Sequence, residues 1–377
     1  MDLPVKGVSS DELVSTRLRK LFDKRGFRRI RVNKFEDYAL YIEYKNFLKS
    51  ENIITFMDAN GKLLALKPDI TLSIVKNMPE KELTALEKLY YVDEVIRLTK
   101  ETREYKVCNQ IGMEIIGKTD SFSNIEAVQL ALLSLELISK DFVLDISHLG
   151  FLSGLLEQAD IPAHLKHQVM DGIHRCSRHD VAAALDAACA CEEFKNRVLS
   201  LSCLRGNFFE LLPKVKELIN CRQMQEAYDE LKHLGESFKD TNLGKRMNLD
   251  FSVVNDLDYY NGLIFLGYVK GVPKVALTGG RYDNLMRKMG KNNSAIGFAV
   301  SLDDFSTYLN TGKKFDFDIL ITYNENSDYA RLLAIAGDMA ANGMSVRLEN
   351  ERLDLESAGF TWGKRYNFAD NRIREED

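Results

Sequence analysis

The sequence contains no run of eighteen apolar residues, roughly the length a helix needs to cross a bilayer. Its first thirty residues already carry Asp2, Lys6, Asp11, Glu12, Arg17, Arg19 and Lys20. That excludes the apolar stretch of a secretory signal, and the expectation is a cytoplasmic chain with no membrane partner. An excess of basic charge is missing too. With 51 Lys and Arg against 56 Asp and Glu, the net charge of −5 gives no general field for nucleic acid. Lys364, Arg365, Arg372 and Arg374 could form a local basic patch at most. Nor is there an acidic pair followed by a small-residue phosphate loop, the mark of a phosphoribosyl site.

There are six cysteines: Cys108, Cys176, Cys189, Cys191, Cys203 and Cys221. Without a secretory signal they are read as reduced thiols. Five of them lie near His164, His167, His174 and His179, but Cys189-x-Cys191 is one residue too tight for the usual C-x₂-C zinc knuckle. No metal is expected; the thiols are read as small packing residues and the histidines as solvated.

What is present is a chain of 377 residues with 45% hydrophobic content, enough for a full core and roughly two or three domains. Ser and Asp before Leu13, Leu18, Leu21 and Phe22 predict a capped amphipathic helix over 9–25, ended by Gly26. FMDANGKLLALKPD predicts a hairpin turning at Asn60-Gly61. A helix from Ile70 to Asn77 and two strands, YYVDEVIRL and KVCNQIGMEIIG, follow. Helical periodicity then dominates about 150–245, with VAAALDAACACEEFKNRVLSL read as one stretch, before strands resume in LDFSVV, LDYYNGLIFLGYV, KVALTGGRYDNL and SAIGFAVSL. After a polar junction at 311–316, FDILITY, DYARLLAIAGDMAANG and MSVRLE predict one β-α-β unit. The last two dozen residues are expected to hold no fixed fold beyond a short helix. No internal repeat stands out.

On the strand VCNQIGMEIIG, alternation turns Gln110, Gly112 and Glu114 to one face and Ile111, Met113 and Ile115 to the other. An unpaired carboxylate between Met113 and Ile115 is costly to bury, so Glu114 faces a partner, a ligand or solvent. LDYYNGLIF and TGGRYDNL also set tyrosines and charges among apolar residues, with glycine where a backbone must approach closely. A tyrosine offers an apolar plate and a hydroxyl, which suits an imidazole-sized ligand. It suits a half-buried core position equally.

The segments LALKPDITLSIVKN, YYVDEVIR, NQIGMEIIG, LDYYNGLIF, GGRYDNL and AIGFAVSLDDF occur in this order, with a helical stretch before LDYY. Together they resemble the catalytic core of histidyl-tRNA synthetase over roughly residues 10 to 310. The resemblance implies an α+β fold. It would comprise a class II aminoacyl-tRNA synthetase-like core with an antiparallel sheet over 1–310, a helical insertion at about 150–245, and a shortened anticodon-binding-like segment over 315–377. It also implies a histidine pocket. Asp69, Thr71 and Gln110 would hold the α-amino group. Glu114, Tyr260 and Tyr282 would grip the imidazole, with Tyr259, Arg281 and Arg97 close by.

The same resemblance implies that the activating groups are gone. Thr99 stands where the family has an adenine-gripping glutamate, and Asp304 where it has an arginine toward the triphosphate. Gly262 stands where an arginine would stabilise charge on the α-phosphate. An aspartate facing a triphosphate repels it, and losing one preorganised donor costs on the order of 100-fold in rate. A pocket of this kind resembles the regulatory subunits of bacterial ATP phosphoribosyltransferase. That implies no catalytic residues, no cofactor and no tRNA. The implied partners are the short-form catalytic subunit, histidine as ligand, and a second copy of the chain paired through GFRRIRVNKFEDYALY. A divergent synthetase and a histidine-binding adaptor of another enzyme are the other readings.

Overall fold

The structure is a computed structural model and describes residues 10–44, 53–99, 102–254, 259–303, 305, 315–353, 357, 359–369 and 372–376. The chain divides into two compact units, the larger spanning residues 14–308.

The larger unit begins in helix α1 (Ser10–Lys24), whose Val14, Leu18 and Phe22 recur every four residues and are buried. Strands β1 (Arg28–Arg29) and β2 (Phe35–Asp37) and helix α2 (Tyr38–Glu43) follow. Strands β3 (Thr55–Met57) and β4 (Leu63–Leu66) form the expected hairpin. Its turn closes because Asp58 Oδ1 accepts the N–H groups of Asn60 and Lys62, both at 2.8 Å, while Gly61 takes φ +78. Helix α3 (Ile70–Asn77) starts where Asp69 caps it, accepting the Leu72 N–H at 2.8 Å. The long strands β5 (Glu87–Leu98) and β6 (Tyr105–Gly117) pair antiparallel along their whole length.

Helix α4 (Ser121–Ile138) and strand β7 (Phe142–His148) have no counterpart among the sequence expectations. In length and composition α4 would suffice to cross a membrane, but it is mostly buried and packs over the sheet. An apolar character on nearly every side leaves no amphipathic stripe to read. Helices α5 (Leu149–Leu156), α6 (Ala163–His174), α7 (Arg178–Ala187) and α8 (Glu192–Ser202) come next, then strand β8 (Arg205–Asn207) and helices α9 (Phe208–Glu217) and α10 (Arg222–Phe238).

The stretch expected as one helix from Val181 to Leu201 is broken. Cys189 adopts φ +51, and the Ala190 N–H turns back to the Leu185 carbonyl at 3.1 Å, a left-handed cap that ends α7. Cys191, Cys203 and Cys221 likewise sit at helix ends. Four of the six thiols, Cys176, Cys189, Cys191 and Cys203, are exposed, which overturns their reading as packing residues.

Strands β9 (Met247–Asp250), β10 (Leu263–Val269) and β11 (Leu277–Arg281), helix α11 (Asp283–Lys288) and strand β12 (Ser294–Ser301) complete this unit. The nine-stranded sheet runs β1-β5-β6-β12-β11-β10-β7-β9-β8, antiparallel except for β1/β5 and β7/β9, and β2-β4-β3 form a small second sheet. One face of the large sheet carries α1 and α4. The Tyr90 hydroxyl donates to Asp23 of α1 at 2.9 Å, and Phe22 packs against Tyr90 and Phe298. Because successive side chains alternate, Tyr91 and Glu114 turn to the opposite face.

The smaller unit holds β13 (Phe317–Tyr323), helix α12 (Tyr329–Ala341), β14 (Val346–Asn350), β15 (Trp362–Ala369) and β16 (Arg372–Glu376). The sheet order is β14-β13-β15-β16, with β13 parallel to both neighbours. Leu332 of α12 is buried in one cluster with Ile319, Ile321 and Phe368. The expected β-α-β unit is therefore present, but among the described residues of the last two dozen, 362–369 and 372–376 form strands rather than a short helix. Their charges sit on a half-exposed edge hairpin that shows little apolar alternation, as in the Lys364–Glu375 pair.

Candidate functional site

A cavity of about 840 Å³ opens on the sheet face away from α1 and α4. At its base, Glu114 is only 2% exposed. One carboxylate oxygen accepts the Tyr282 hydroxyl at 2.6 Å and the other the Thr71 hydroxyl at 2.9 Å. Burial pushes the Glu114 carboxyl up to about 8, and the nearby Asp69 carboxylate adds to this, while the two hydroxyl donors pull it back. The group can therefore hold a proton near neutral pH and either give or accept a hydrogen bond to a ligand.

Backbone pairing makes room for that carboxylate. Gly297 of β12 lies directly opposite Glu114, and a Cβ there would overlap its Oε2. One residue pair further along the hairpin face, Gly112 lies opposite Tyr91, and a Cβ there would overlap the Tyr91 hydroxyl. Tyr259 and Tyr260 form the adjoining wall, their ring centroids 4.7 Å apart, with Tyr259 6.0 Å from Tyr282. Both precede β10 rather than lying within a strand, so both can face the cavity. Burial raises the phenols of Tyr91, Tyr259 and Tyr282 well above their usual range, and they stay neutral donors.

Asp69 and Thr71 enter from the first turn of α3; one Asp69 oxygen is committed to the helix cap, which fixes the orientation of the carboxylate. Arg97 lines the outer part, its Nε 3.4 Å from the Pro68 carbonyl, and Gln110 lines it from β6. Thr99 is also there, at the start of the tight β5–β6 turn, where its N–H donates to the Glu104 carbonyl at 2.9 Å.

Asp69, Thr71, Arg97, Gln110, Glu114, Tyr259, Tyr260 and Tyr282 are thus brought together around one space. Arg281 is not. It ends β11 one residue before Tyr282, and alternation sends its guanidinium to the other face, where Nε donates to Asp283 at 2.7 Å. Gly262 is not at the cavity either; a Cβ there would lie 3.1 Å from Arg281 Cδ. Asp304 and Asp258 lie outside the described residues.

Sequence reasoning missed Tyr91, Gly297, Lys106, Lys274 and Asp303, all of which line the cavity. Tyr91 had a signal: it is the second tyrosine of the pair in YYVDEV, across the hairpin from Gly112. Asp303 is anchored to Asn109, accepting from its backbone N–H at 2.9 Å and its side-chain amide at 2.7 Å. No group of three or more His, Cys, Asp or Glu side chains suited to a metal occurs among the described residues.

Comparison with known proteins follows the same lines. A curated relative from Oceanobacillus iheyensis, named ATP phosphoribosyltransferase regulatory subunit, is 25% identical over 313 residues, covering 82% of this chain and 77% of that protein. A crystal structure from Bacillus halodurans C, described as an ATP phosphoribosyltransferase regulatory subunit/histidyl-tRNA synthetase, has the same fold. Its TM-score is 0.80 at 20% identity, covering 97% of this chain and 98% of that one. A chain of the ATP phosphoribosyl transferase (HisG:HisZ) complex from Thermotoga maritima matches with a TM-score of 0.59 at 17% identity, covering 78% of this chain and 97% of that one. Residues 2–305 match the family model described as Histidyl-tRNA synthetase. On that match, which spans most of the sequence, the chain belongs to the histidyl-tRNA synthetase family.

Proposed function

We propose that this chain is the regulatory subunit of an ATP phosphoribosyltransferase, with no chemistry of its own. It binds free histidine in the cavity and acts on the short catalytic subunit at the first step of histidine biosynthesis. The observation that carries the reading is the buried Glu114 held between Thr71 and Tyr282. Such a carboxyl, backed by tyrosine plates, matches an imidazole N–H. Asp69 suits the ammonium and Arg97 the carboxylate of the same ligand. The names of the curated relatives support the regulatory role, and the complex from Thermotoga maritima supports the partner.

Thr99, a short neutral side chain tied to its own turn, supports the absence of nucleotide activation. Feedback by histidine needs different affinities in two states of the assembly, typically about 1–3 kcal/mol apart. The small sheet supports pairing with a second copy: Phe35 and Phe56 meet edge to face at 5.5 Å yet stay largely exposed beside Met57 and Leu63.

Purified chain mixed with a short-form catalytic subunit tests the reading. The expected result is co-purification, restored phosphoribosyl transfer and inhibition of the mixture by histidine. Histidine-dependent pyrophosphate exchange by the chain alone would overturn it in favour of a synthetase. Histidine binding without any effect on the catalytic subunit would overturn it in favour of an adaptor for another enzyme.

A further inference from the structure

On the face of the sheet away from the cavity, polar side chains form a continuous chain that the histidine site does not use. It begins at Glu230 on α10, whose side chain is 36% exposed. Glu230 Oε2 lies 3.3 Å from His148 Nε2 and accepts the Asn124 amide at 3.0 Å. Asn124, on α4 and 5% exposed, lies with its Oδ1 3.4 Å from the Arg281 guanidinium. Arg281 donates to Asp283, and Asp283 also accepts the Asn261 amide at 3.3 Å and the Ala295 N–H at 2.9 Å. The Arg281 carbonyl in turn accepts the Asn261 N–H at 3.1 Å.

Asn261 directly follows Tyr259 and Tyr260. The next residue, Gly262, has its carbonyl bound by the Leu149 N–H at 2.9 Å, and its missing side chain leaves space for the Arg281 stem. The short segment carrying the tyrosine wall is therefore fastened on its outer side by Arg281 and its partners.

We propose that Arg281 is a positioning residue for Tyr259 and Tyr260. Through Asn124 it ties the histidine-facing wall to Glu230 on α10. This rests on the cavity being the histidine site. Glu230, Asn124, Arg281, Asp283 and Asn261 share one bonded path, in which the Arg281 side chain meets Asn124 of α4 on one side and, on the other, Asp283, the acceptor of the Asn261 amide. Removing the Arg281 side chain takes the charged donor from Asp283, the acceptor that holds the Asn261 amide, and takes away the stem that packs beside Gly262. Removing Glu230 releases Asn124 and, with it, one of the Arg281 contacts.

Calorimetric titration of the full-length chain with L-histidine tests the proposal, using Arg281→Ala, Arg281→Lys, Glu230→Gln and the Arg281→Ala/Glu230→Gln double variant. Arg281→Ala is expected to weaken binding about fivefold to twentyfold, with Arg281→Lys recovering part of that. Glu230→Gln is expected to weaken it by a smaller factor, and the double variant to match Arg281→Ala alone. Effects that multiply in the double variant, or affinities unchanged while melting temperature falls, would overturn the positioning role. Should Arg281→Ala fail to fold, Arg281→Lys against Glu230→Gln gives the same cycle. A wild-type chain that binds no histidine would sink the histidine site itself, which separates the two failures.

Discussion

Gly297 and Glu114 face each other across the β6–β12 pairing, and the carboxylate of one fills the space where the other has no side chain. Replacing Gly297 with alanine therefore acts on Glu114 before it acts on any ligand. The expected outcome is a fold destabilised by about 1–3 kcal/mol and a histidine affinity lowered by well over tenfold. Chemical denaturation and calorimetry on the same preparation check both.

The ligand-free protein has a distinctive pH response. Glu114 is raised from 4.5 to about 8 on folding. Its stability contribution is fully present below the unfolded value and is lost as pH rises through the folded one. Melting temperatures of the ligand-free chain should fall between about pH 5 and pH 8, and Glu114→Gln should flatten that slope. A slope unchanged in the variant would show that another group is responsible.

Tyr282→Phe removes a 2.6 Å donor from the buried carboxyl without changing its packing. Losing one hydrogen bond to such a group weakens histidine binding by roughly tenfold. It also moves the Glu114 titration further upward, because one of the interactions holding it down is gone. Following the carboxyl carbon by NMR separates this from a general loosening.

Lys67 and Asp93 meet at 2.7 Å with the lysine side chain 1% exposed. The pair joins β4 to β5 two residues before Asp69. Lys67→Ala leaves a largely buried carboxylate unpaired and should cost about 3–5 kcal/mol, whereas Lys67→Met with Asp93→Leu should cost much less. Denaturant midpoints of the single and double variants decide.

Strand alternation and turn residues made much of the larger unit readable from sequence. The turn at Asn60-Gly61, the helix from Ile70 to Asn77 and the Gln110-Gly112-Glu114 stripe each follow from a local rule, and each is found where expected. The failures share a cause as well. Arg281, which the resemblance places close to the pocket, precedes Tyr282 directly, and on an extended strand adjacent side chains point apart. Gly262, which the resemblance sets where the family has an arginine, lies against the Arg281 stem, a relation that only the β10–β11 pairing creates. Helix α4 has no stripe because it is buried on most sides, and Cys189 ends α7 in a conformation that carries no turn signature. The cavity as a whole depends on β12 lying beside β6, which no local pattern encodes.

That neighbourhood has a consequence for biosynthesis of the protein. The floor of the cavity needs residues 110–117 and 294–301 side by side, so a ribosome must release almost the entire larger unit before any binding site exists. Until then the long β5–β6 hairpin waits with an unsatisfied edge, and the Glu114 carboxylate lacks the β12 backbone that shelters it. Chains interrupted within the helical stretch would be inert toward histidine however well their helices had formed.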